Sequence, residues 1–153
     1  MQMTNLNVMQ WGDSHANKVV VGLHGITANA GAMSEPARIL ADKGWKFLAP
    51  DMRGHGESTR GNGDFSFDSL LSDFSENIPL QPDILIGHSF GGTLAQLGVL
   101  QGVFKPKTLL LEDPVSYFPD KKTPLDMLSW DEDNLPQDIE GLLHLNPKWS
   151  RLD

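Results

Sequence analysis

Apolar positions along the chain fall into short continuous runs, separated by stretches of helical spacing. Leu6, Val8 and Gln10 share one face of a short strand, and Gly12-Asp13 marks the turn after it. Val19-Val20-Val21-Gly22-Leu23 is β-branched and continuous rather than alternating, which suits a strand covered on both faces, as in a parallel sheet. Ser34 as N-cap, Glu35 and Pro36 in the first turn and Gly44 just past the end predict a helix. Trp45 to Ala49 predicts the next strand, closed by Pro50-Asp51. Phe67, Leu70, Leu71, Phe74 and Ile78 recur at helical spacing and predict an amphipathic helix with its stripe toward the core. Asp83 to Ile86 reads as a further strand, a helix runs from Ser89 to about Gly102, and Thr108 to Leu111 reads as another buried strand. Strands thus alternate with helices from residue 18 to residue 112, which implies βαβ units, right-handed crossovers and a mainly parallel sheet. In such sheets ligands bind beyond the carboxyl ends of the strands, where His24, Asp51, Ser89 and Asp113 all fall. After Pro114 the rhythm changes. Proline recurs at 114, 119, 124, 136 and 147, no strand-like run appears, and short helical pieces are expected over Leu125–Trp130 and Gln137–Leu145.

The densest chemistry lies in Ile84-Leu85-Ile86-Gly87-His88-Ser89-Phe90-Gly91-Gly92. An apolar strand ends at a glycine, a serine stands one residue on, and a helix-permissive stretch follows. Gly87-x-Ser89-x-Gly91 in that context is a nucleophile elbow. A serine on so sharp a turn has a strained backbone, and residues two positions away approach the crossing strand and helix, so glycine fits there. The turn places the first helical N–H groups beside the serine hydroxyl, where negative charge develops in acyl transfer.

Composition narrows the partners. The chain has 153 residues and a net charge of −8, of which Glu112 to Asp153 carries −6 with ten acids and four bases. That acidity argues against a nucleic-acid partner. No apolar run approaches transmembrane length, so no membrane partner is expected. The first eleven residues lack the charged-then-apolar layout of a signal peptide, which makes the cytoplasm the default location. There is no cysteine, which excludes disulfides and a thiol nucleophile.

Three motifs together resemble the α/β-hydrolase superfamily: His24-Gly25 after the first buried strand, Asp51-Met52-Arg53-Gly54-His55-Gly56-Glu57-Ser58 after the next, and Gly87-His88-Ser89-Phe90-Gly91-Gly92. Their order and spacing match. The resemblance implies a three-layer α/β/α sandwich, here a truncated α/β-hydrolase fold with a partial core over residues 1–114 and a helical cap-like segment over 115–153. It implies Ser89 as nucleophile, with the backbone N–H groups of Phe90 and Ile26 as oxyanion hole. His24 and Gly25 would shape the oxyanion loop, His24 as a brace. Asp51, Arg53 and His55 would hold their loop by hydrogen bonds, and His88 would pack away from the reaction. Members that dehalogenate or open epoxides through an alkyl-enzyme carry aspartate at the elbow. Serine points instead to esters, thioesters, lactones, activated carbon–carbon bonds or perhydrolysis. A small ester-type substrate is expected, with no metal and no organic cofactor.

The same resemblance exposes a gap. A serine hydroxyl needs a base to take its proton. The family supplies a histidine held by a carboxylate, in the order Ser, acid, His. Asp113 is the candidate acid, with Glu112 as alternative, although the acid more often follows a later strand. The one histidine beyond Ser89 is His144, in a stretch that reads as cap helix, and His15 stands at the wrong end of the order. The family sheet has eight strands, the last two bearing the acid and the histidine, and five can be placed here. The chain therefore resembles the N-terminal half of a hydrolase plus part of its cap. Its bare sheet edge after Leu109–Leu111 would suit a second copy, making a homodimer. Three readings stand: a serine hydrolase, a non-catalytic binding protein that keeps the pocket, and a fragment of a longer enzyme.

Overall fold

A computed structural model describes residues 4–114. The expected pieces at Leu125–Trp130 and Gln137–Leu145, the cap-like segment 115–153 and His144 lie outside the described residues.

The strands are β1 (Val8–Trp11), β2 (Val19–Leu23), β3 (Lys46–Pro50), β4 (Ile84–His88) and β5 (Thr108–Glu112). The helices are α1 (Ser34–Ala41), α2 (Phe67–Asn77) and α3 (Phe90–Leu100). The sheet order is β1-β3-β2-β4-β5, with β1 antiparallel to β3 and the remaining pairs parallel.

Side-chain alternation along β2 and β3 divides the core in two. Val20, Phe47 and Ala49 join Ala30, Met33 and Ala37 under α1 on one face. Val21, Leu23 and Leu85 join Leu70, Leu71 and Phe74 of α2 and Leu94 and Ala95 of α3 on the other. The continuous apolar run of β2 is thus buried on both sides, and the three layers are α1, sheet, and α2 with α3. The chain leaves β2 toward β3 on one side and later places β4 on the other. Right-handed crossovers then send the connecting helices to opposite faces. The loops after β2 and β4 therefore diverge and leave a crevice at the carboxyl ends of the two neighbouring strands.

Three expectations are revised. Ser34 is the first residue of α1 and not its cap. A 3-10 turn, Ala30–Met33, precedes the helix, and the Asn29 side chain caps that turn by accepting from the Gly31 N–H at 2.8 Å. The cap lies earlier because the chain must tighten before it can enter α1. Helix α3 ends at Leu100, two residues short of Gly102, whose φ of +74° closes the turn. The third revision concerns β5, which is largely exposed: Leu110 keeps 47% and Leu111 39% of its surface. An apolar run predicts two covered faces only where neighbouring elements supply the cover. Among the described residues β5 pairs with β4 alone, and only Leu109 packs partly against the core.

Candidate active site

Strand β4 delivers Ser89 to the crevice with φ +50° and ψ −119°. This is a strained backbone for a residue with a Cβ, and strain of this kind is held only where the surroundings enforce it. The enforcement is visible. The Ser89 N–H donates to the Glu112 carbonyl at 2.9 Å, and the Ser89 carbonyl accepts from the Thr93 N–H at 3.1 Å, which starts α3. A Cβ on Gly87 would stand 2.6 Å from Gly92 Cα, and one on Gly91 would overlap the carbonyl oxygens of Leu23 and His24. Serine at an N-cap usually bonds the helix with its own side chain. Ser89 makes no such bond, so its hydroxyl is not spent on the helix. As the first helical residue, Phe90 has an N–H with no intrahelical acceptor.

The end of β2 comes up beside it. Gly25 lies so close that a Cβ there would be 3.4 Å from Ser89 Cβ and 3.3 Å from His88 Nδ1, which places the His88 ring against this turn. The Gly25–Ala28 turn is closed by the Ala28 N–H donating to the Gly25 carbonyl at 3.1 Å, and Ile26 at its crest is 44% exposed. His24 is fully buried. Its Nε2 accepts from the Met52 N–H at 3.0 Å, so the ring proton sits on Nδ1, 2.8 Å from the Gly25 carbonyl. This neutral tautomer braces the turn from below. Burial pushes the His24 pKa down to about 4, and nearby His55 adds to the fall; the bond to the Gly25 carbonyl and the Asp51 charge oppose it.

The depressed pKa has a sign. An unfolded His24 takes up a proton near 6.5 and the folded one near 4, so protons favour unfolding between those values. The stability due to neutral His24 is full above about pH 6.5 and is lost as pH falls to about 4. It amounts to something on the order of 3 kcal/mol. In urea unfolding at pH 4.5 and pH 7.5, His24→Asn is expected to shrink the difference seen with the parent chain. An unchanged difference would show that other groups carry it.

The loop after β3 holds the turn from the other side. Asp51 accepts from the Ala30 N–H at 2.7 Å, from Asn7 Nδ2 at 2.8 Å and from the Glu57 N–H at 2.9 Å, while Ser58 Oγ donates to its carbonyl at 2.8 Å. A Cβ on Gly56 (φ +50°) would run into that carboxylate. Arg53 is buried and bidentate on Asp73 of α2, with Nε to Oδ2 at 2.8 Å and Nη2 to Oδ1 at 2.7 Å. Its Nη1 donates to the Asp64 carbonyl at 2.6 Å and to Asn62 Oδ1 at 3.0 Å. Asp64 bonds the Ser69 hydroxyl and the Ser66 N–H, which hold its carboxyl down to about 2. The loop-holding role expected for Asp51 and Arg53 is therefore visible in their bonds, and His55 Nε2 lies 2.7 Å from the Ile26 carbonyl. The partners were not legible in the motifs: Asp73 and Asn62 lie 20 and 9 residues from Arg53, and Asn7 lies 44 residues from Asp51.

Of the other candidates, Asp113 follows β5 beside the elbow, exposed, with φ +44°. Ser89 and Asp113 are the only non-glycine residues with positive φ among the described residues. His15 lies in the turn before β2, at the opposite end of the sheet from Ser89. Among the described residues no group of three or more His, Asp or Glu side chains could hold a metal ion, and no helix is long and apolar enough to cross a membrane.

Comparison with known proteins fits this geometry. Residues 14–125 match the family model described as serine aminopeptidase, S33 (Hydrolase_4). The chain is 32% identical over 85 residues to the non-heme chloroperoxidase CPO-A1 of Kitasatospora aureofaciens, covering 54% of this chain and 30% of that protein. It is 31% identical over 120 residues to a serine hydrolase-like protein of Danio rerio, covering 74% of this chain and 36% of that one. Among solved structures, the thioesterase domain from the curacin biosynthetic pathway superposes with a TM-score of 0.71 at 26% identity, over 98% of this chain and 64% of that domain. The chain thus spans about a third of the length of these two relatives. A mainly parallel sheet with helices on both faces, the elbow at Ser89 and the family match over most of the sequence place this chain in the serine aminopeptidase S33 family of α/β-hydrolases.

Proposed function

We propose that this chain carries the nucleophile side of an esterase-like serine hydrolase. The observation that supports the reading most is the Ser89 backbone: a strained residue at a helix N-terminus, walled by glycines, with a hydroxyl that does not cap the helix. In the proposed reaction Ser89 Oγ attacks the carbonyl carbon of a small ester-type substrate as its proton passes to a base. The Phe90 and Ile26 N–H groups receive the oxyanion. The C–O bond to the leaving alcohol breaks as that oxygen takes the proton, and water then releases the acid from the acyl-enzyme. Asp113 is the carboxylate this chain offers to orient a base, and its positive φ beside the elbow fits a residue placed for use. His144, outside the described residues, is the downstream histidine. The reading needs no metal and no organic cofactor. A second copy would pair along β5, an edge strand of the sheet among the described residues.

One observation favours the alternative of a ligand-binding protein that keeps the fold: among the described residues no histidine bonds to Ser89. Even then, an oxyanion hole and binding alone retain roughly 10³ to 10⁴ in rate over water.

Treatment with a fluorophosphonate, followed by native and denaturing mass measurement, separates the two. One probe mass is expected on the parent chain and none on Ser89→Ala, with the native mass that of a dimer. A parent chain that stays unlabelled would favour the binding protein, and ligands rather than substrates would be sought.

A further inference from the structure

We propose that His55 is the positioning residue for the oxyanion-side donor. It holds Ile26 in place through the Ile26 carbonyl. The catalytic consequence rests on the serine hydrolase reading; the latch itself does not.

The His55 ring is clamped between two carbonyl oxygens. Its Nε2 lies 2.7 Å from the Ile26 carbonyl and its Nδ1 lies 3.0 Å from the Arg53 carbonyl. A carbonyl can only accept, so the shorter contact puts a proton on Nε2. With its proton there, the ring donates to Ile26. The ring reaches this position because Gly54 (φ +77°) and Gly56 (φ +50°) turn the chain on either side of it. The neutral His24 ring lies 5.1 Å away, tilted against it.

The anchorage behind the ring is firm. Arg53, two residues before His55 on the same loop, is itself locked on Asp73 of α2. The loop and the turn at 24–30 are joined at three points: Met52 N–H to His24, Ala30 N–H to Asp51, and His55 to Ile26. The first two are buried and flank the turn. The third is at the surface and is the one that touches Ile26. Without it, the crest of the turn keeps the single Gly25–Ala28 bond. An oxyanion donor must stand within about half an ångström of its working place. A bond to the very residue that bears the N–H supplies that restraint, and its exposed position leaves the core free of it.

Two independent measurements test this on the full chain. In protein labelled with ¹⁵N-histidine and ¹³C-isoleucine, NMR is expected to show a protonated His55 Nε2 with a coupling across the hydrogen bond to the Ile26 carbonyl carbon. In His55→Phe, exchange of the Ala28 amide, whose N–H closes the Gly25–Ala28 turn, is expected to rise about fivefold, the worth of one bond, with His55→Gln lying close to the parent. Fluorophosphonate labelling of Ser89, compared at equal folded fraction, is expected to slow about tenfold in His55→Phe and to recover in His55→Gln, a part of what losing a whole oxyanion donor costs. An Nε2 without a proton, or Ala28 exchange and labelling rates in His55→Phe equal to the parent's, would overturn the proposal. Should the parent itself resist labelling, the hydrolase reading fails, and the NMR arm still decides whether the latch exists.

Discussion

Asp73→Ala is expected to cost about 3–5 kcal/mol of stability. The Arg53 guanidinium and the Asp73 carboxylate are each about 1% exposed, and two parallel bonds join them. Asp73 also accepts from the Thr4 N–H at 2.9 Å, so one side chain ties the amino end, the loop after β3 and α2 together. Truncating it leaves a charge that the interior cannot solvate. Arg53 cannot escape by losing its proton, because a guanidinium stays protonated inside a protein. Domains of this size are stable by roughly 5–15 kcal/mol, so a large share of the total is at stake. The double change Arg53→Met with Asp73→Leu is expected to recover most of the loss, since burying two apolar side chains avoids the desolvation of a broken pair. Urea midpoints of the three chains check this. A loss below about 1 kcal/mol in Asp73→Ala would mean that Arg53 reaches water and that the pair is not sealed.

Gly91→Ala is expected to be the most damaging single methyl in the elbow, at about 3 kcal/mol or more. Its Cβ would meet the carbonyl oxygens of Leu23 and His24, backbone atoms of the central strand and of the turn after it. Neither can retreat without opening the sheet or moving the turn that bears Ile26. Ser89 labelling should fall with stability, because α3 would have to lift at its first turn. Gly25→Ala provides the contrast. Its added Cβ would meet His88 Nδ1 at 3.3 Å and Ser89 Cβ at 3.4 Å, side-chain atoms that can give by a few tenths of an ångström. It is expected to fold nearly as well as the parent and to label more slowly, because the new methyl crowds Ser89. Equal melting temperatures for Gly91→Ala and the parent would show that the strand yields more readily than close packing implies.

Much of this was settled by local chemistry alone. The β-branched run at 19–23, the stripe from Phe67 to Ile78 and the glycine-flanked Ser89 each answer to forces acting within a few residues. Strand, amphipathic helix and elbow therefore stand where periodicity and sterics put them. Partnerships across the chain were decided only by the folded sheet. No spacing in the sequence marks Asp73 as the counter-ion of Arg53, or Ile26 as the carbonyl under His55, because those pairs form only when α2 and the β2 turn come to the loop after β3. The cover of β5 is of the same kind. Three leucines in a row promise burial, yet Leu110 and Leu111 are exposed, since burial belongs to the neighbour that covers a face and not to the residue that presents it.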